Sequence, residues 1–324
     1  MSFFDALQPG AQIDSYRIEA NVARSGMASI YRAVDVRNNR TVALKIPHPD
    51  LESDPILFDR FRREAEIGQK LNHPMVMHVF DDESRSRVYM VMEWCDGRLL
   101  RQILSEGKLP HDRSIRIAIG VLEALEYIHA NGVIHRDLKP ENIMVDANDQ
   151  IKLIDFGIAG DSAAKRLTYT NLSAALGTPD YISPEQVKGK RGDRRSDIYS
   201  LGVILYEMLT GRVPFSGPSP LAVMNDRLIN HPMPPRVADP TISPELQEVL
   251  YRALERDPSH RYPNAHEFEN DLKHLDMVGV ADRLELTNWS KRKSQLSRKV
   301  LLYGGFALIP VVLLLLMYLV AHWH

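Results

Sequence analysis

Cysteine is almost absent: Cys95 is the single one in 324 residues. No internal disulfide can therefore form, and the composition suits a reducing compartment. Net charge is nearly absent too, with 40 Lys and Arg against 42 Asp and Glu. A nucleic-acid binder usually shows a basic domain or face, so nucleic acid is not an expected partner. The opening MSFFDALQPG has neither a basic stretch nor an apolar one, which excludes a signal peptide there. Internal repeats and low-complexity tracts are also missing. What remains is ordinary globular composition, 44% hydrophobic and 25% charged, with length for one large domain or two smaller ones.

Long hydrophobic runs are lacking until the C-terminus. There, residues 300–321 read VLLYGGFALIPVVLLLLMYLVA, 22 positions without a charge. As a helix the run would extend roughly 33 Å, enough for a hydrocarbon core of about 30 Å. A buried core helix of that length would carry some polar face, and this run has none. Pro310 and the Gly304–Gly305 pair are tolerated in membrane helices. Lys291, Arg292, Lys293, Arg298 and Lys299 precede the run. By the positive-inside rule the bulk of the chain is expected to be cytoplasmic. The cluster either sets topology alone or also attracts anionic lipids. The expected layout is an N-terminal tail 1–15, a folded region 16–275, a basic juxtamembrane linker 276–299, a transmembrane helix 300–321 and a short tail 322–324. That describes a single-pass, tail-anchored membrane protein without a folded external sensor.

Within the folded region, residues 16–94 read as strands with one helix interposed. YRIEANVA, SIYRAVDV, RTVALKI and RVYMVME have strand character, while DPILFDRFRREAEIGQKL has helical spacing, with Phe58, Phe61, Ala65 and Leu71 available for burial. From about residue 99 helices take over. SIRIAIGVLEALEYIHANG is amphipathic and ends in a glycine suited to a C-cap, and RSDIYSLGVILYEMLTG is apolar enough to be buried on most sides. The fold class is α+β, a β-rich lobe 16–94 joined to a helical lobe 95–275.

The most specific segment is His135-Arg136-Asp137-Leu138-Lys139-Pro140-Glu141-Asn142, followed thirteen residues later by Asp155-Phe156-Gly157. These match the catalytic loop and the metal-binding motif of protein kinases. Phosphoryl transfer asks for positioning and charge neutralisation, which is why carboxylates, an amide and lysines recur here. Asp155 and Asn142 offer oxygen ligands to Mg²⁺, with Mn²⁺ an alternative. Asp137 suits acceptance of a hydroxyl proton, and Lys139 neutralisation of the moving phosphoryl group.

The chain thus resembles the eukaryotic-like protein kinases, and their bacterial Ser/Thr members most closely, over roughly 16–275. The resemblance implies a bilobal fold binding Mg-ATP and phosphorylating Ser/Thr hydroxyls of proteins, itself included; whether a homodimer carries out that self-modification stays open. In Val42-Ala43-Leu44-Lys45 it makes Lys45 the grip on the α- and β-phosphates, and Glu64 its helix partner, ahead of Glu66. Met92 resembles the gatekeeper, and Glu93-Trp94-Cys95 the hinge that bonds adenine through backbone groups. A hinge cysteine is more often a pocket-lining hydrophobe than a reactive thiol. The phosphate lid departs from the family pattern G-x-G-x-x-G-x-V. Val22 is followed by Ala23, Arg24, Ser25, Gly26, Met27, Ala28, Ser29 and Ile30, so Ala, Ser and Ala stand at the patterned glycines. A Cβ at a left-handed position costs about 1–2 kcal/mol, so the loss of one such contact would weaken ATP affinity about tenfold.

Further on, Gly177-Thr178-Pro179-Asp180-Tyr181 and Ser183-Pro184-Glu185 resemble the end of an activation segment. The resemblance gives Thr178 to the protein substrate, pairs Glu185 with Arg261, and makes Asp197 a cap on the catalytic loop. Arg136 beside Asp137 implies control by phosphorylation, with Thr168, Thr170 and Ser173 as candidates. Two other readings stay open: a pseudokinase signalling by conformation, motivated by the eroded lid, and a small-molecule phosphotransferase. The bacterial likeness points to a bacterial inner membrane.

Overall fold

The computed structural model describes residues 7–24, 28–49, 54–82, 85–155 and 179–283. Lid positions Ser25, Gly26 and Met27, then Phe156, Gly157, Thr168, Thr170, Ser173 and Thr178, and the whole 300–321 run lie outside the described residues. Among the described residues no helix is long and apolar enough to cross a membrane. The chain divides into two units, 1–279 and 280–324, and the first contains the elements below.

A six-stranded antiparallel sheet forms the smaller lobe. Its strands are β1 (Gln12–Ile13), β2 (Tyr16–Arg24), β3 (Ala28–Asp35), β4 (Arg40–Pro47), β5 (Val79–Phe80) and β6 (Met90–Glu93), in the order β1-β2-β3-β4-β6-β5. Alternation in β4 buries Val42 and Leu44 on one face and turns Lys45 to the other. Helix α1 (Pro55–Lys70) packs on this second face through Phe61, with Phe58 and Ala65 half-buried beside it. Gly68 allows the approach, because a Cβ there would stand 2.2 Å from Val79 Cγ2. The tail expected at 1–15 needs correction. Asp14, at φ 49°, turns the chain so that β1 pairs with β2 and Ile13 is buried. Asp14 also accepts a hydrogen bond from Tyr89 Oη at 2.6 Å, so an apolar residue and a carboxylate together draw this segment onto the sheet.

The larger lobe is built on α2 (Leu100–Leu104), α3 (His111–Ala130), α4 (Pro184–Val187), α5 (Arg194–Thr210), α6 (Pro220–Ile229), α7 (Pro235–Ala238), α8 (Pro244–Ala253) and α9 (Ala265–Lys273). Buried positions run along α5 from Ser196 to Leu205 without a break, which accounts for its apolar sequence. Its end is set by Gly211 at φ 72°, and that of α3 by Asn131 followed by Gly132 at φ 74°. One departure from the helical reading concerns β7 (Arg98–Leu99), β8 (Ile143–Val145) and β9 (Ile151–Leu153), which form a three-stranded sheet. These strands have two or three residues each, too short for periodicity to register in the sequence. They carry the segments that matter most: β8 follows Asn142, and β9 precedes Asp155.

Candidate active site

Lys45 leaves β4 opposite Met90 and points into the cleft between the lobes. Its Nζ lies 2.7 Å from Glu64 Oε1 on α1 and 2.7 Å from Asp155 Oδ1. Glu66, two residues on, points elsewhere and lies 3.5 Å from Arg62 on the exposed side of the helix. Burial raises the Glu64 carboxyl to about 7 despite the lysine. Burial acts on Asp155 in the same sense, but Lys45 more than offsets it and holds that carboxyl below the usual range. The segment after α1 is stitched to β9, with Met77 N donating to Leu153 O and Leu153 N to Met75 O, both at 2.8 Å. Helix and β9 are thereby held in one frame, so the carboxylates of Glu64 and Asp155 reach the same ammonium.

The second half of the site is the loop 135–142. Lys139 Nζ stands 2.7 Å from Asp137 Oδ2, and Asn142 Nδ2 donates to Asp137 O at 2.8 Å. This leaves the side-chain Oδ1 of Asn142 as an acceptor. Ile154 N donates to Asn142 O at 2.9 Å, tying the loop to the residue before Asp155. Asp155 and Arg136 both adopt left-handed backbone, φ 53° and 62°, a strained conformation for side chains of their kind. The strain at Arg136 is held by Asp197, whose carboxylate accepts the amides of His135 at 2.9 Å and Arg136 at 2.8 Å. Asp197 is fully buried on α5. Beneath it, Arg261 grips Glu185 through two nitrogens at 2.8 and 2.7 Å. Burial alone would raise the Glu185 carboxyl, yet Arg261 and Ser196 bring it below its ordinary value.

The nucleotide-pocket candidates fall on the sheet's cleft side and the hinge. Ala43 pairs with Met92 across β4 and β6, both buried. Glu93 N donates to His78 O at 2.9 Å. Cys95 is half-buried with Sγ 3.9 Å from Met77 Sδ, and burial pushes its thiol up to about 12. In the lid, Val22, Ala23 and Arg24 are exposed at the end of β2, while Ala28 and Ser29 are buried and Ile30 half-buried at the start of β3.

Three contributors escaped the sequence reading. His129 Nε2 lies 2.8 Å from Asp197 Oδ2 and so helps fix the loop's anchor. Its place on the α3 face beside Ile128 was a core signal and nothing more. Lys152 Nζ lies 2.6 Å from Glu93 Oε2, joining β9 to the hinge. A lysine alternating with apolar residues in IKLI was the available hint. Arg101 bridges Glu141 at 3.0 Å and Glu207 at 2.9 Å, bracing the loop from α2. No local pattern connects those three positions.

A glycine-poor lid aside, a strand lysine, a helix carboxylate, a loop of Asp, Lys and Asn and a second Asp meet in one interlobe cleft. The model of the protein kinase domain matches residues 16–272. The chain belongs to the protein kinase family. This kinase chain is 44% identical over 264 residues to a probable serine/threonine-protein kinase of Streptomyces coelicolor, covering 80% of this chain and 39% of the relative. It is 39% identical over 290 residues to the serine/threonine-protein kinase PknB of Mycolicibacterium smegmatis, covering 88% and 46%. The chain thus spans less than half the length of these curated relatives. Among solved structures, it matches the PknI kinase domain of Mycobacterium tuberculosis at TM-score 0.65 and 26% identity, covering 83% of this chain and all of that one. It also matches residues 1–466 of Rad53 in complex with AMP-PNP, at TM-score 0.63 and 28% identity, covering 79% of this chain and 64% of that one.

Proposed function

We propose that this chain is an active protein Ser/Thr kinase using ATP and a divalent ion, Mg²⁺ in the first instance. The observation that carries the reading is the Lys45, Glu64 and Asp155 cluster joined to the loop of Asp137, Lys139 and Asn142 by the bond from Ile154 N to Asn142 O. Asp155 and the side-chain Oδ1 of Asn142 suit a hard cation, which takes oxygen ligands and would neutralise phosphate charge when bound. Lys45, held between two carboxylates, is aimed into the cleft to meet phosphate oxygens. Asp137 accepts the proton of the Ser/Thr hydroxyl as that oxygen bonds the γ-phosphorus and the bond to the ADP oxygen breaks. Lys139, already against Asp137, offsets negative charge on the transferring group. The complex of Rad53 with AMP-PNP supports an adenine nucleotide as the co-substrate, and the names of the bacterial relatives support protein Ser/Thr hydroxyls as acceptors.

The 300–321 run, behind its basic cluster, suits a single membrane-spanning helix with the kinase domain on the cytoplasmic side. Thr168, Thr170 and Ser173 are the hydroxyls proposed for autophosphorylation, carried out between two copies.

The alternative is a pseudokinase, favoured by Ala23, Ser25 and Ala28 in the lid. One experiment separates them: phosphate incorporation into protein by membrane and soluble fractions of cells expressing the wild type, Lys45→Met or Asp137→Asn. The expected result is incorporation in the wild-type membrane fraction, reduced about 10²–10⁴-fold by Asp137→Asn and comparably by Lys45→Met. Absence of incorporation in the wild type would establish the pseudokinase reading. Activity confined to the soluble fraction would remove the membrane helix.

A further inference from the structure

The lid has lost its patterned glycines, yet the strand on which it returns is tied down by a contact that nothing so far has used. Ile30 pairs with Lys45 across β3 and β4, and Ser29 pairs with Ile46. Directly paired residues share a face of a sheet and successive residues alternate. Lys45 occupies the cleft face, so Ser29 turns to the opposite one. There Ser29 Oγ lies 3.0 Å from Nε2 of His48. Ser29 is 7% exposed, so this partner matters: a buried hydroxyl without one is costly.

The surroundings of His48 fit a device for holding position. It stands between Pro47 and Pro49 in the sequence. A residue preceding proline is confined to extended backbone, which limits where the imidazole can go. Pro47 is the β4 residue paired with Ala28, and it has no N–H to give the ladder. The side-chain bond therefore supplies a tie at the end of the ladder where β4 brings no donor. His48 also begins the connection from β4 to α1, the helix that carries Glu64. A hydroxyl can donate to or accept from either form of the ring, so the tie does not depend on one tautomer.

We propose that Ser29 and His48 form a clasp that fixes the start of β3 against the Lys45 strand, making His48 a positioning residue for the triphosphate of ATP. The clasp offsets part of what the missing glycines cost. The proposal rests on the nucleotide reading above. It predicts an effect on the phosphate end of the ligand and none on the adenine end, since the hinge follows Glu93, which pairs with Val42 at the end of β4 away from Pro47.

The test measures affinities of the full chain for Mg-ATP and for adenosine by calorimetry, with a thermal melt on each variant. His48→Ala and Ser29→Ala should each weaken Mg-ATP roughly threefold to tenfold. Adenosine should stay within about twofold. The double variant should match the singles, as members of one contact do not add. His48→Gln, which puts a nitrogen near the position of Nε2, should recover most of the loss. Should His48→Ala lose its melting transition, Ser29→Ala, which removes one hydroxyl, carries the test. Equal loss of ATP and adenosine, no loss of either, additive singles, or no recovery with Gln would each overturn the clasp. A wild type that binds Mg-ATP but phosphorylates nothing would defeat the kinase reading and leave this test standing.

Discussion

The floor and the roof of the cleft are held by different physics. The floor rests on charges taken out of water: Asp197 fully buried beneath two loop amides, and Arg261 fully buried against Glu185. Around them one apolar cluster extends from α3 through α5 to α8 and α9. The roof has two separate apolar clusters, one on each face of the sheet. Among the described residues its chemical residue, Lys45, is held by carboxylates from α1 and from Asp155. A floor built on buried anchors places Asp137 and Asn142 at a cost paid in folding. A roof built on a largely buried ion-pair cluster facing the cleft can exchange partners when phosphates arrive. Substitutions in the floor should therefore register first as lost stability, and those in the roof as altered ligand affinity and pH dependence.

The strongest challenge to this contrast is Arg261→Ala. It would leave the Glu185 carboxylate buried, with the Ser196 hydroxyl as its remaining side-chain donor among the described residues. Breaking one side of a buried pair costs about 3–5 kcal/mol. For a domain of this size the melting temperature should fall by roughly 10 °C. Pairing the change with Glu185→Leu should recover much of the loss, because no orphaned charge remains. A thermal melt of both variants decides it. A shift of a degree or two for Arg261→Ala alone would show that the floor does not depend on this anchor.

The contrast also governs what could be read in advance. Asp137, Lys139, Asn142 and Asp155 were legible because chemistry forces their types and the chain forces their spacing. Lys45 and Glu64 followed from the family resemblance, periodicity showing only the strand and the helix that carry them. What stayed hidden depends on meetings between distant segments: His129 with Asp197, Lys152 with Glu93, Ser29 with His48, and Arg101 with Glu207. In each pair at least one partner is an ordinary surface or core residue in its local sequence. The strand Gln12–Ile13 was hidden for another reason, since a two-residue strand made by a left-handed Asp14 has no pattern to display.

A smaller effect sharpens the description of the roof. Glu64 pairs with Lys45 as a carboxylate, and burial raises its proton affinity to about 7. Above that pH the carboxyl is charged and holds Lys45; below it the carboxyl takes up a proton and the pair weakens. The value of kcat/KM for ATP reports groups of the free enzyme, so it should fall as pH drops through about 7, approaching tenfold per unit. Glu64→Gln should lower kcat/KM about tenfold at pH 8 and flatten this acid limb. An unchanged limb in the variant would assign the proton to another group, and the roof would lose its claim to pH sensitivity.

The smallest effect is expected at the hinge between the two regions, where Cys95 would serve adenine through its backbone. Its side chain has only a packing role, beside Met77. Burial holds the thiol near 12, far above an ordinary cysteine, so at neutral pH almost none is thiolate. Alkylation by iodoacetamide at pH 7.5 should run at least about a hundredfold slower in the native chain than in urea. Cys95→Ala should change kcat/KM for ATP by no more than about twofold. Native alkylation at the unfolded rate would mean that the thiol is open to water. A large kinetic effect of Cys95→Ala would mean that the hinge recognises nucleotide through this side chain, and that it belongs with Lys45 among groups whose loss is read in binding.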